Sequence, residues 1–167
     1  LLQEAFEISD GVILPIGGYG FTTGSVAYTL GGQRTASGTI AVTAGSFWSG
    51  DIKTLEYRQG RINILDQFSI EPTVSVNDVD LPEGSFTTTL ISSRFNYAFN
   101  PRMFFGALVQ YNSSNSAVGA NVRWRWEYQP GSELFVVYTD QRDTLTPQFP
   151  TLQNLAFVVK ITRLFRF

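Results

Sequence analysis

The sequence predicts an all-β fold, an antiparallel up-and-down transmembrane β-barrel, and three observations carry that expectation. The first is two-residue periodicity. Residues 155–167, LAFVVKITRLFRF, put Phe157, Val159, Ile161, Phe165 and Phe167 on one phase, interrupted only by Arg163, against Ala156, Val158, Lys160, Thr162, Leu164 and Arg166. Alternation of β-branched and aromatic residues marks a strand. The second is a series of strands, mostly of ten to fourteen residues, joined by alternately short and longer connections. At ~3.3 Å per residue such strands cross a bilayer at a tilt, and short turns on one side with longer loops on the other suit an outer-membrane barrel. The third is aromatic placement. Phe95, Tyr97, Phe105, Trp126 and Tyr128 lie near strand ends on one side, with Trp124 in the same phase, as lipid-facing girdles require.

Composition sets the class. Of 167 residues, 43% are hydrophobic and 14% aromatic, while only 16% are charged, below the ~25% of soluble domains. Mean hydropathy is near zero, because Gly, Ser, Thr, Asn and Gln rather than charges dilute the apolar residues. Alternating lipid-facing and lumen-facing positions give that average. A net charge of −2 argues against a nucleic-acid partner, which calls for a basic surface. Cys and His are both missing. That removes disulfides, a thiolate nucleophile, the commonest general base and the commonest zinc ligand, so neither an enzyme nor a cofactor is expected. No apolar run approaches the roughly eighteen residues of a membrane helix. The opening LLQEAFEISDG has no cationic start and no short apolar core and is no signal peptide. An exported protein of this sequence is therefore expected to be the C-terminal piece of something longer.

Taken in order, residues 1–18 hold a short strand near 4–8, then a loop with Asp10-Gly11, Pro15 and Gly17-Gly18. The first long strand, 21–30, turns Val26, Tyr28 and Leu30 one way and Ser25, Ala27 and Thr29 the other. The second, 37–48, sets Ile40, Val42, Ala44 and Trp48 against Thr39, Ala41, Thr43 and Gly45. The third, 52–64, breaks phase between Leu55 and Tyr57 on one side and Ile62 and Ile64 on the other. Either a bulge near Gln59-Gly60 restores the phase, or Glu56 and Arg58 share a face with Ile62 beyond the bilayer.

The fourth strand, 68–77, alternates cleanly, with Pro72 as its weak point. NDVDLPEGS, 77–85, reads as a polar loop. Strands follow at 86–99, 103–112, 118–128, 134–139 and 155–167. Nine strands fall short of the usual even count and imply part of a larger barrel. With Phe167 at the periplasmic side, the short connections at Gly31, Asp66, Pro101 and Gly131 are periplasmic. Those near 10–18, 49–51, 77–85, 112–116 and 140–154 face outward, three of them long. Trp48, Tyr111 and Tyr138 mark outer strand ends.

Glu71, Arg94, Arg123, Arg125, Glu127 and Lys160 all fall on the expected lumen face. They read either as a polar channel lining that selects anionic or sugar-like solutes or as a charge ladder that fills and stiffens the interior. Strict alternation separates Arg123 and Arg125 from Trp124 and Trp126, so rings and guanidiniums do not share a ligand such as a nucleic acid. Asp78, Asp80 and Glu83 offer hard oxygens, but without the spacing of a calcium loop, and read as a solvated acidic segment. The Gly17-Gly18-Tyr19-Gly20 cluster is followed by neither helix nor Lys and is no phosphate loop. No metal site is expected.

The phrases NDVDLP at 77–82, NYAF and NPR at 96–102, ALVQYNS at 107–113, ANVRWRW at 120–126, PGSELFVVY at 130–138 and VVKITRLFRF at 158–167 carry a resemblance. In order and spacing, over about residues 15–167, they resemble the C-terminal barrel of a family of large bacterial outer-membrane proteins of unknown function. That family often carries an N-terminal module similar to family 9 carbohydrate-binding domains. The resemblance implies a barrel and a bacterial outer-membrane location, with membrane lipid as a partner. It implies no catalytic residues. The terminal strand, loop parity and aromatic girdles lead to the expectation of transport, with carbohydrate or another small polar solute as cargo, or of anchoring an exported module. The terminal Phe also resembles the signal read by the barrel assembly machinery, which would make Phe165 and Phe167 the assembly signal; Arg163 departs from that pattern. The alternative from another class is a secreted or periplasmic β-sandwich that binds carbohydrate and buries Trp124 and Trp126 in a core.

Overall fold

The computed structural model describes residues 2–145 and 150–165. Within them the alternating pattern gives β1 (Phe6–Ser9), β2 (Val12–Leu14), β3 (Thr23–Leu30), β4 (Ala36–Phe47), β5 (Gly50–Leu65), β6 (Phe68–Leu81), β7 (Gly84–Asn100), β8 (Met103–Asn112), β9 (Ala117–Gln129), β10 (Ser132–Asp143) and β11 (Thr151–Thr162). No helix occurs among the described residues. Strands β1 and β2 form a separate hairpin; β3 to β11 form one nine-stranded sheet in simple sequence order. Every pairing in it is antiparallel. The two edges, β3 and β11, are not paired with each other.

Because directly opposed residues in a ladder share a face, the register sorts the whole sheet. One row runs Ile70, Phe95, Ala107, Val122, Tyr138, Phe157 across β6 to β11. The adjacent row, pointing the other way, runs Glu71, Arg94, Leu108, Asn121, Thr139, Ala156. We call these the apolar and the polar face.

The phase break in β5 is a bulge. Tyr57 pairs with Val74 and Ile62 with Ile70, so five steps along β5 oppose four along β6. Gln59 takes a left-handed φ of 53° there. The extra residue returns Ile62 to the face of Tyr57 and Leu55, and sends Arg61 to the polar face, opposite Ser37. The Tyr57 ring fills the distortion. Its hydroxyl donates to the Ser37 carbonyl at 2.6 Å, and its edge lies against Gly38 and Gly60.

The buried core lies at one end of the sheet, which we call the Trp48 end. Val12, Leu14, Val79 and Leu81 are all nearly inaccessible, with Leu2, Ile8, Phe47, Trp48, Ile52 and Phe86 packed around them. The β1–β2 hairpin builds this core. Its Asp10-Gly11 turn uses Gly11 at φ 75°, a conformation glycine adopts without steric cost. The Gly11 N–H donates to Glu7 Oε1 at 2.9 Å, and a Leu2–Gly17 bridge closes the base. Alternation along β2 turns Val12 and Leu14 inward and leaves Ile13 exposed.

Three expectations about this end are corrected. Residues 77–85 are not a loop: β6 continues to Leu81 and β7 starts at Gly84, leaving a two-residue turn. Beyond Asn77 the polarity of the faces inverts. Asp78 and Asp80 stand on the otherwise apolar face, while Val79 and Leu81 turn to the otherwise polar one, where the hairpin covers them. A mixed sequence of that kind looks like loop when either face is assumed constant. The long connection expected at 10–18 is likewise largely hairpin, so the contrast in loop length between the two ends is smaller than expected. Trp48 sits in the β4–β5 turn at φ 51° and packs on the buried core rather than continuing the apolar phase of β4. Its ring meets Tyr19 at 5.2 Å and Phe21 at 5.4 Å, edge to face.

Candidate functional site

The site is a contrast between two faces. The register places Phe95, Tyr97, Phe105, Trp124 and Trp126 together on the apolar face, and the Tyr128 ring packs beside Trp126. Phe68, Tyr97, Phe105 and Trp124 are directly opposed in one row; Met103, Trp126, Leu134 and Ile161 form the next. Ring centroids lie 6.1 Å apart for Phe68 and Tyr97, 4.6 Å for Tyr97 and Phe99, 6.1 Å for Trp124 and Trp126, and 6.0 Å for Trp126 and Tyr128. The result is a continuous aromatic belt near the end opposite Trp48. Tyr128 ties it to β11 by donating to the Thr162 carbonyl at 3.0 Å.

This face stays open across the sheet. Val26, Tyr28, Val42, Leu55, Ile91, Val109, Phe157, Val159 and Ile161 all belong to it and are all exposed. Val26 reaches 78% and Ile161 69%. Within the sheet's paired rows, Phe104 and Val158 are the large exposed hydrophobics on the polar side.

The polar face gathers all six of the expected lining residues. Glu71 opposes Arg94, Arg125 opposes Phe135, and Phe135 opposes Lys160. Arg123 lies one row from Arg125 and donates from Nε to Asn121 Oδ1 at 2.8 Å. Arg125 is ion-paired with Glu133. Glu127 opposes that same Glu133 and accepts from the Gly131 N–H at 3.1 Å. Arg61 joins this set, with Nε donating to Asn63 Oδ1 at 3.1 Å. Sequence reading missed Arg61 because its face depends on the bulge, and missed Glu133 because the strand there begins earlier than its apolar run. Furrows on this face are lined by Arg61, Arg94, Arg123 and Arg125 with Asn63, Asn96 and Asn121.

The remaining candidates are dispersed. Asp78 opposes Lys53 and accepts from Thr87 Oγ1 at 3.1 Å, while Glu83 accepts from the Ser49 hydroxyl. No group of three or more carboxylates that could hold a metal ion is found among the described residues. At the chain's end, the Arg163 guanidinium lies 5.0 Å from the Phe165 ring centroid, a cation–π arrangement that accounts for the arginine in an apolar phase. Phe167 lies outside the described residues. No protein-family model, curated protein or solved structure matches this chain.

Proposed function

We propose that the sheet is a wall of a bacterial outer-membrane β-barrel, of the family its phrases resemble, serving transport of small polar solutes or anchoring an exported module. One observation carries this reading: exposed large apolar side chains collect on one face while, away from the Trp48 end, the charges collect on the other. In water each such side chain left uncovered forgoes about 1.5–3 kcal/mol of burial, and contiguous patches of this size are rare on soluble monomers. Acyl chains remove that cost. The aromatic belt suits the interface between lipid and water. Two unpaired edges also favour closure, which is the way a membrane sheet satisfies its outermost backbone groups. A charged face then lines water, as in barrels with a polar interior.

The test is lipid contact. In the full-length protein carrying Trp48→Phe, with tryptophans outside this region replaced, Trp124 and Trp126 are expected to be quenched strongly by brominated acyl chains. Unboiled samples are expected to shift mobility on gels. A water-soluble protein with unquenched tryptophans would overturn the barrel and leave a carbohydrate-binding sandwich, its apolar face covered by a second sheet.

A further inference from the structure

The geometry points to a subsite on the polar face, between Arg94 and Arg123, for a small solute bearing a carboxylate or phosphate group. This inference takes the polar face as water-lined and so rests on the barrel reading, but its chemistry is separable from it.

The argument starts at Gly106. It lies in the middle of β8, opposed by Asn96 on one side and Arg123 on the other. Glycine weakens a strand and usually answers a backbone or packing demand. Neither demand exists here. Gly106 has no left-handed φ, and a Cβ built on it meets nothing nearer than the Phe95 carbonyl oxygen at 3.9 Å. What the glycine does is leave a hole in the polar face.

The walls of that hole suit an oxyanion. One row away, Arg94, Leu108 and Asn121 are opposed in sequence across β7, β8 and β9. Arg94 and Arg123 therefore stand diagonally across the gap, with Asn96 and Asn121 at the other corners and Leu108 as an apolar wall, and the five line one furrow. Arg123 spends Nε on Asn121, which fixes the guanidinium plane and leaves its terminal nitrogens free of that bond. The ion pairs formed among the described residues involve Arg58, Arg125 and Arg142; neither Arg94 nor Arg123 is within 4.0 Å of a carboxylate of those residues. Glu71, though directly opposed to Arg94, makes no such pair. Guanidinium forks bind carboxylate and phosphate in two-point contacts, and the asparagine amides add donors for hydroxyl or carbonyl oxygens.

The experiment is binding of glucuronate, and separately of inorganic phosphate, to the purified full-length protein by equilibrium dialysis, alongside channel current in planar bilayers. Gly106→Leu fills the hole without altering charge. The double variant R94Q/R123Q removes charge without filling it. Each is expected to weaken glucuronate binding by about tenfold or more, as loss of charge-assisted contacts does, and to relieve block of the current by glucuronate. Lys53→Gln, at the far end on the other face, is expected to change neither. Phosphate competing with glucuronate, and losing affinity in the same variants, identifies the oxyanion as the recognised group; glucuronate binding alone assigns the site to carboxylated sugars. Binding with the same variant dependence but no channel supports the subsite and sinks the transport reading, leaving the lipid-quenching test to decide the barrel. A working channel with no binding, or binding indifferent to both variants, overturns the subsite and leaves the barrel standing.

Discussion

The ring of Tyr57 occupies the space that a side chain at Gly38 would need: a Cβ there would stand 2.5 Å from Tyr57 Cε2. The same ring lies 2.6 Å from where a Cβ at Gly60 would be, so one aromatic covers two glycines on adjoining strands. Gly38 also holds φ 143°, which disfavours any L side chain. Gly38→Ala and Gly60→Ala are each expected to lose about 1–3 kcal/mol through overpacking, read as a lower urea midpoint. Tyr57→Phe keeps the ring and removes only the hydrogen bond to Ser37, and is expected to cost about 1 kcal/mol.

Val158 and Val159 are chain neighbours with nearly equal exposure, 53% and 50%, on opposite faces of β11. Their arginine variants therefore separate solvent from lipid. In a membrane barrel Val159→Arg is expected to be the costlier of the two, though less so than at the bilayer midplane, because Val159 stands in the row of Trp124. Folding yield into lipid vesicles, scored by gel mobility, measures both. Equal tolerance of the two would mean that water bathes both faces.

Leu14 is fully buried where the β1–β2 hairpin meets β6. Leu14→Ala is expected to remove about 2–5 kcal/mol from that contact. The nine-stranded sheet does not depend on it, so the effect is local. Protease cleavage within 15–22 should become fast and Trp48 emission should shift to the red, while the gel mobility of the folded form stays unchanged.

Glu133 pairs with Arg125 yet stands opposite Glu127. Glu133→Gln loses an attraction and relieves a repulsion on a half-exposed surface, where ion pairs contribute little. The urea midpoint is expected to stay within error of the parent at low and at high salt. A large drop would show that this face is much drier than a water-lined wall.

How much of this was legible before the fold was seen depends on where one face stays constant. Along β9 the alternation of Val122, Trp124 and Trp126 with Asn121, Arg123 and Arg125 is unbroken, and strand, faces and neighbours follow from it. The bulge at Gln59-Gly60 was visible as one of two solutions, because a phase slip and a polar overhang look alike until the pairing partner is known. The hairpin was not legible as a core. Asp10-Gly11 is a hairpin turn signal, but its strands are only four and three residues long. The surface they cover, Val79 and Leu81, is apolar in the phase that is polar elsewhere. Trp48 was misplaced for the same reason: period-two counting assumes that the strand goes on. Of the polar site, the cations were readable one by one, whereas the hole at Gly106 shows only once Arg94 and Arg123 are known to sit diagonally across it.

Antiparallel neighbours reverse direction at every step, so β3 and β11, with seven strands between them, point the same way. Joining them directly would create a single parallel seam, with slanted hydrogen bonds unlike the rest of the ring. A second copy of these nine strands, inserted with the same orientation, presents that same direction at both junctions and so offers two parallel seams. A wholly antiparallel cylinder that includes this sheet therefore needs an odd number of further strands, so these nine, or two bare copies of them in one orientation, do not complete it.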